Sequence, residues 1–356
     1  MKQSIKNFDY NELCSVIADF GEKEYRVKQI FVWLYEKNIE DFNEMTNISK
    51  ELRNKFNERY IMSPLSLEDR EISTIDGTEK FLFKTFDNHF IESVLIKSEG
   101  DKNRLTICVS SQVGCPMGCK FCETTKTGFI RNLDTGEILD QICQVRRITG
   151  LINNNVVFMG MGEPFLNYNN VLKAADIMNY TFGFHLSVRK ITISTCGILP
   201  AIERFIDEKR PYNLALSLND TDSNKRVVNM PVEKKYPFKK IAAILKNRLP
   251  VSRNRLTVEY IMRKDNISFE DVNRLKEMFN YSKVKLNLIP LNTGNHDLKF
   301  PERHEIDSFI KKLEEMNIPV SLRKSMGSDI SGACGQLSGK KYGLKDSIGG
   351  DADAIH

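Results

Sequence analysis

Three cysteines, Cys115, Cys119 and Cys122, fall within eight positions of one another in the stretch SSQVGCPMGCKFCETTKTGF. The chain of 356 residues holds eight cysteines in all, and the chance that one of them has partners at both +4 and +7 is roughly one in 250. Coincidence is a weak explanation, and the spacing points to metal. A structural zinc site takes four ligands, usually from two separated C-x-x-C pairs, and no second pair is present. Histidine does not fill the gap: of the five, His185, His296 and His304 have no second His at metal-ligand spacing. An iron–sulfur cluster wants a thiolate at each iron. Three cysteines leave one iron of a 4Fe–4S cube without a protein ligand, and an open iron is a place for substrate to bind.

Two more cysteines draw attention. Cys108 lies in TICVSSQ, seven residues before the triplet, and Cys334 lies far away in DISGACGQL. Free cysteines are commonly buried as small hydrophobes, and Cys14, Cys143 and Cys196 are read that way. Cys334 differs, because Gly332, Ala333 and Gly335 leave its thiol among small residues, where a loop can approach a ligand closely.

The elements that must hold these groups are legible in the hydropathy pattern. Residues 1–62 carry few strand signals, whereas YRVKQIFVWLYEKN places Val27, Ile30, Phe31 and Leu34 on one helical face. This predicts a small N-terminal helical domain, with Trp33 and Cys14 in its core or at its edge. From 63 to 104 short alternating runs, KFLFKTF and FIESVLIK, predict a β-hairpin extension. After 104, apolar β-branched runs alternate with helical segments: LTICVS, NVVFMG, KITIST, NLALSLN, LTVEYIM, KLNLIPL and PVSLRKS. Between the first two, Ile138, Leu139, Ile142 and Val145 form one stripe after an Asp/Thr start signal.

Six or seven strands, each followed by a helix, imply an α/β fold with a parallel sheet and crossover helices. A barrel or partial barrel over 105–338 is the natural closure, with its active site at the C-terminal ends of the strands. FMGMGEP, STCG, SLND, IPLNTG and the cysteine cluster all fall on that one rim. Residues 339–356, ending in IGGDADAIH, are expected to form a disordered tail.

The C-x3-C-x2-C spacing of GCPMGCKFC, with Phe121 before the last cysteine, resembles the signature of radical S-adenosylmethionine enzymes. In them the open iron is chelated by the methionine part of the cofactor, and an electron from the cluster yields a 5′-deoxyadenosyl radical. FMGMGEP agrees with this: Gly160 and Gly162 let the backbone approach a ligand, and Glu163 offers a carboxylate to its ammonium. The wider set CVSSQVGCPMGCKFC, GF-RNL, FMGMGEP, ST-G, EYIM, NLIP and DI-ACGQL closely resembles the RlmN/Cfr family of radical S-adenosylmethionine RNA methyltransferases. The likeness covers most of the chain and implies a partial (β/α)6-type barrel with a helical accessory domain.

That resemblance implies a chemistry. An adenine ring carbon is too weak a nucleophile to take a methyl group from a sulfonium directly. Cys334 first accepts a methyl from one S-adenosylmethionine as a thiolate nucleophile, and a second S-adenosylmethionine supplies the radical that removes hydrogen from the S-methyl group. The methylene adds to adenine, Cys108 then attacks Cys334 to form a transient disulfide, and Glu92 in FIESVLI corresponds to the proton acceptor. The same match assigns cofactor contacts to Gly162, Glu163, Ser194, Ser217, Leu218, Asn219 and Asn292, and cluster ligation to Cys115, Cys119 and Cys122. Implied partners are 23S rRNA, tRNA as a second target, an electron donor such as flavodoxin and a thiol reductant that resets the disulfide.

Several positions depart from the family pattern. Asn219 stands where His is usual after SL, Glu233 where Asn is usual, RKDNIS, which ends in Asp265 to Ser268, replaces the usual turn, and Met326 stands where Arg is expected. QVGC and GF-RNL are nearer the carbon-2 enzymes, since the carbon-8 branch commonly has a cysteine at Val113. Carbon-8 methylation, a radical enzyme acting on a small molecule or peptide, and a non-catalytic metal-stabilised RNA-binding module are the competing readings.

Charge narrows the field less. A formal net charge of +5 and a pI near 8.6 fall short of the roughly pI 9 of strongly basic nucleic-acid binders. Basic pairs such as Arg146–Arg147, Arg189–Lys190, Lys234–Lys235, Arg323–Lys324 and Lys340–Lys341 suit either a phosphate-facing stripe or a solvated mixed surface. The N-terminus has no apolar signal region and no run of about 18 apolar residues occurs. The expectation is a soluble cytoplasmic protein, free of membrane partners, whose thiols stay reduced.

Overall fold

The alternation of β-branched runs with helical stripes produces one ten-stranded mixed sheet with helices packed on it. The computed structural model describes residues 2–98, 104–248, 256–279, 284–292 and 298–339; the expected tail beyond Gly339 lies outside them. Ahead of the sheet come β1 (Gln3–Ser4), the helices α1 (Tyr10–Asp19), α2 (Tyr25–Phe31) and α3 (Lys50–Arg59), and β2 (Tyr60–Ile61), which pairs in parallel with β1. The stripe expected in this region is real: Val27, Ile30, Phe31 and Leu34 are all buried. Its helix widens into a π-turn over Val32–Glu36.

Three antiparallel strands follow, β3 (Leu65–Ile72), β4 (Glu79–Thr85) and β5 (Phe90–Lys97). The β4–β5 hairpin was expected; β3 was not singled out. It is the sheet edge, so in LSLEDREI only Leu65 is buried and no apolar alternation marks it.

The parallel region begins at β6 (Leu105–Cys108), after which β7 (Gln112–Gly114) and β8 (Phe129–Asn132) pair antiparallel on either side of the cysteine loop. Then come α4 (Thr135–Thr149), β9 (Asn155–Phe158), α5 (Tyr168–Asn179), β10 (Ile191–Thr195), α6 (Leu199–Asp207) and β11 (Asn213–Ser217). Helices α7 (Ser223–Asn229), α8 (Val232–Lys235) and α9 (Phe238–Arg248) lead to β12 (Leu256–Met262), α10 (Phe269–Phe279), β13 (Lys285–Pro290), α11 (Arg303–Glu315) and β14 (Val320–Leu322). All seven runs expected as parallel strands are strands, in the order β14-β13-β12-β11-β10-β9-β6, continued by β5-β4-β3. Because β5 pairs antiparallel with β6, the edge of β6 that a closing strand would need is taken. The barrel is therefore partial and open.

Helix α4 ties the N-terminal helices to the sheet. It starts at Asp134, whose N–H donates to Glu137 Oε2 (2.9 Å), and ends on Gly150 in the left-handed conformation. On its inner face Asp140 forms a fully buried ion pair with Lys6 and accepts from Leu65 N (3.2 Å) and Ser63 Oγ (3.2 Å). Asn38 Nδ2 donates to Cys143 O (2.8 Å), and Phe31, Tyr180 and Phe182 form an aromatic cluster beside it.

Candidate active site

The cysteine loop leaves the sheet at the C-terminal end of β6, as the rim rule requires. Cys115 N–H donates to Gly128 O (2.8 Å), closing the base of the loop through β7 and β8. At its far end Thr125 Oγ1 donates to the carbonyls of Cys119 (3.2 Å) and Cys122 (2.8 Å), and Lys120 N–H donates to Asn229 O (3.0 Å). Burial pushes the Cys115 thiol up to about 12 and moves Cys119 up as well, with the neighbouring cysteines adding to the effect. Burial also raises Cys122, opposed by the hydroxyl of Thr124 and the N–H groups of Thr124 and Thr125 near its sulfur. Three thiols held this way are costly to ionise unless a cation answers them.

Glu163 follows β9 and is 4% exposed. Its Oε1 accepts from Phe165 N (3.0 Å) and its Oε2 from Cys196 N (2.8 Å), while its own N–H donates to Gln112 Oε1 (2.8 Å). Burial raises its pKa, and these donors oppose the shift. Gly162 before it has φ +101°, and a Cβ there would lie 2.6 Å from Gln112 Cβ, so only glycine lets this turn close on the cysteine loop. Further round, Arg226 is buried and donates to the carbonyls of Cys196 (2.9 Å), Ser217 (3.1 Å) and Leu218 (2.9 Å). It joins the ends of β10 and β11 and is neutralised by Glu233.

The segment carrying Cys334 crosses the same mouth. Glu123 N–H donates to Gly335 O (2.7 Å), Thr124 Oγ1 to Leu337 O (2.7 Å) and Thr127 Oγ1 to Ser338 O (2.9 Å). Gly335, at φ +85°, brings this backbone against the loop: a Cβ there would meet Phe121 O at 3.0 Å. On its other side Glu92 Oε2 accepts from Ser338 N (2.6 Å) and Gly339 N (2.8 Å). The Cys334 side chain is accessible to the cavity, yet enclosure by its walls and the Glu259 carboxylate push the thiol up to about 11, with Arg323 opposing. Cys108 is buried, which raises its thiol, and the charge of Cys334 adds to the shift.

One cavity gathers Cys115, Cys119, Cys122, Gly162, Glu163, Ser194, Ser217, Asn219 and Cys334. Four expected residues stand off its walls. Cys108 is buried at the end of β6, and Leu218 is wholly buried, its N–H bonded to Glu259 O (3.0 Å). Asn292, just beyond β13, accepts from Ser325 Oγ (2.6 Å). Glu92, 2% exposed, engages the Cys334 segment and Lys80 (3.5 Å).

Two titratable lining residues were not anticipated. Cys196, read as a core cysteine, is indeed buried but borders the cavity, because the chain turns off β10 directly onto Glu163. Glu259 on β12 is a carboxylate in the apolar run LTVEYIM; it lines the cavity and accepts from Asn287 Nδ2 (2.9 Å). A charge in a buried strand is the signal that could have found it.

The departures noted in sequence have structural partners. Glu233 answers Arg226. Asn219 adopts φ +56°, which Asn tolerates, and its Oδ1 accepts from Ile261 N (3.0 Å). Within Asp265–Ser268, Asn266 Nδ2 donates to the carbonyls of Asn219 (3.0 Å) and Ile261 (2.9 Å). Nothing in the structure explains Met326.

Among the described residues no three His, Cys, Asp or Glu side chains converge on a point where a single ion would sit. Three thiols spread around one cavity suit the corners of a cluster instead, and the accessible space beside Glu163 suits its cofactor. Residues 109–272 match the model of the radical SAM superfamily, and residues 3–62 that of the ribosomal RNA large subunit methyltransferase N-terminal domain. A dual-specificity RNA methyltransferase RlmN of Geotalea uraniireducens is 43% identical over 343 residues, covering 95% of this chain and 97% of that one. A probable dual-specificity RNA methyltransferase RlmN of Thermotoga neapolitana is 41% identical over 340 residues, covering 95% and 98%. The crystal structure of a radical SAM methyltransferase from Sphaerobacter thermophilus has a TM-score of 0.88 at 34% identity, covering 95% of this chain and all of that one.

Fold and site together define a radical S-adenosylmethionine methyltransferase with a 4Fe–4S cluster. The chain belongs to the RlmN family of RNA methyltransferases. No helix among the described residues is long and apolar enough to cross a membrane.

Proposed function

We propose that this enzyme methylates carbon 2 of an adenosine at the peptidyl-transferase centre of 23S rRNA, and an adenosine of tRNA as a second target, through a methylated Cys334 and a transient Cys108–Cys334 disulfide. The observation that carries this reading is the position of Cys334: it shares one cavity with Cys115, Cys119, Cys122 and Glu163, and its segment is hydrogen-bonded to the cysteine loop through Glu123 N and Thr124 Oγ1. The large-subunit rRNA domain at residues 3–62 and the dual-specificity relatives support the choice of RNA.

When bound, a cluster on the three cysteines supplies the electron that cleaves S-adenosylmethionine, two molecules of which are consumed per methylation. This chain's residues do the rest. Glu163 has lone pairs left after its two amide bonds and would receive the cofactor's ammonium; Ser194, Ser217 and Asn219, on the same cavity wall, would complete the contacts around it, with Leu218 and Asn292 behind that wall. The Cys334 thiol gives up its proton and takes the first methyl, and after one hydrogen is removed its methylene carbon bonds to the adenine carbon. The adduct then loses a proton and one electron, which a cluster on Cys115, Cys119 and Cys122 would take back, balancing the electron it gave.

Cys108 Sγ attacks Cys334 Sγ, breaking the sulfur–methylene bond and forming S–S, and the freed carbon takes a proton to become methyl. Glu92 is the acceptor of the ring proton, and burial, which raises its carboxyl, makes it the stronger base. An electron donor such as flavodoxin and a thiol reductant restore the enzyme.

The test is mass spectrometry of rRNA and tRNA incubated with Cys334→Ala and Cys108→Ala. The first should bind its cluster and form no 2-methyladenosine; the second should accumulate a protein–RNA cross-link. Normal turnover by either, or 8-methyladenosine as the wild-type product, refutes the corresponding part.

A further inference from the structure

The segment that carries Cys334 has no regular secondary structure beyond a single turn at Ser328–Ile330, yet it must hold a sulfur and its methyl group steady at a reactive centre. Its backbone is gripped from both sides. Glu92 takes the N–H groups of Ser338 and Gly339. Opposite, the loop running on from Cys122 takes its carbonyls: Thr124 Oγ1 reaches Leu337 O at 2.7 Å and Thr127 Oγ1 reaches Ser338 O at 2.9 Å, across more than 200 residues of sequence. The hydroxyls belong to the short turn Glu123–Thr127 that begins one residue after the last cluster cysteine. Any displacement of that turn is therefore passed to the backbone that bears the methyl-carrying thiol.

We propose that Thr124 and Thr127 are positioning residues that clamp the Cys334 segment to the cluster-binding loop, so that the S-methyl group is presented to the radical in a fixed geometry. The role rests on the reading of Cys334 given above. Removing either hydroxyl leaves a carbonyl of the segment without its donor, which weakens the clamped position. Without the clamp the segment samples other positions, and a radical formed while the methyl group is absent is spent without product.

Thr124→Val and Thr127→Val keep the side-chain shape and remove the donor; Thr127→Ser restores it. Amide hydrogen exchange over residues 334–339, measured with and without the cluster, should rise about tenfold in each valine variant, the change that about 1.4 kcal/mol produces. In reconstituted enzyme the ratio of 5′-deoxyadenosine formed to adenosine methylated should rise to a similar degree, and Thr127→Ser should return both readouts toward wild type. Wild-type exchange in the valine variants, or faster exchange with an unchanged ratio, overturns the proposal. If Thr124→Val loses iron, Thr127→Val, at a partly exposed position, decides alone. Methylation by Cys334→Ala would instead refute the methyl-carrier reading, so the two failures are told apart.

Discussion

Burying a guanidinium is affordable only where an acid and carbonyls meet it, and Arg226 has both. It is 1% exposed, pairs with Glu233 at 2% exposure, and spends its remaining donors on carbonyls at the ends of β10 and β11. Removing one partner of such a pair strands the other charge and costs about 3–5 kcal/mol. Glu233→Ala should therefore lower the free energy of unfolding measured by urea denaturation by about that amount. Because Arg226 fixes the carbonyls beside Ser217 and Cys196, the same variant should bind S-adenosylmethionine several-fold more weakly in equilibrium titration. Glu233→Gln, which keeps an acceptor oxygen, should lose less in both; equal losses would mean that charge alone matters there.

At the level of elements, α4 and the N-terminal helices are coupled by Lys6 and Asp140, both without solvent exposure. Lys6→Ala should cost about 3–5 kcal/mol and expose the first 60 residues to limited proteolysis, whereas Lys6→Met with Asp140→Asn, which removes both charges and keeps an acceptor for Leu65 N and Ser63 Oγ, should cost less. The pair also predicts a pH dependence. The Lys6 ammonium is opposed by burial, but Asp140 outweighs this and the pKa lies above its ordinary 10.5. The stabilisation is thus complete below pH 10.5 and lost as pH rises through the higher folded value. Denaturation followed from pH 9 upward should show an alkaline fall in wild type that the double variant lacks.

The whole molecule sorts its eight cysteines by depth. Cys334 is exposed and Cys14 half-buried, while Cys108, Cys143 and Cys196 are enclosed and Cys115, Cys119 and Cys122 line the cavity. Alkylation of the cluster-loaded protein should label Cys14 and Cys334. Removal of iron by a chelator under reductant should abolish S-adenosylmethionine cleavage and add labels at Cys115, Cys119, Cys122 and Cys196, which borders the same cavity. Only denaturation should add the rest, with Cys143, packed at Leu34 O (4.0 Å), released when the N-terminal helices undock. Labelling of Cys143 in the native chain would contradict that docking, as read by peptide mapping.

Much of this was written locally. Seven parallel strands announced themselves as β-branched runs, α4 by its capping residues and apolar stripe, and the cysteine triplet by a spacing that chance rarely gives, because each signal lies within one turn or one strand. The edge strand β3 gave no such signal, since a strand wet on both faces has no alternation to show. Tertiary structure alone decided that β5 blocks closure of the barrel, that Cys196 and Glu259 reach the cavity, and that Glu92, Thr124 and Thr127 hold the backbone of the Cys334 segment. Those contacts join residues tens to hundreds of positions apart, through carbonyls and amides that every residue possesses, and a group common to all residues leaves no mark in the sequence.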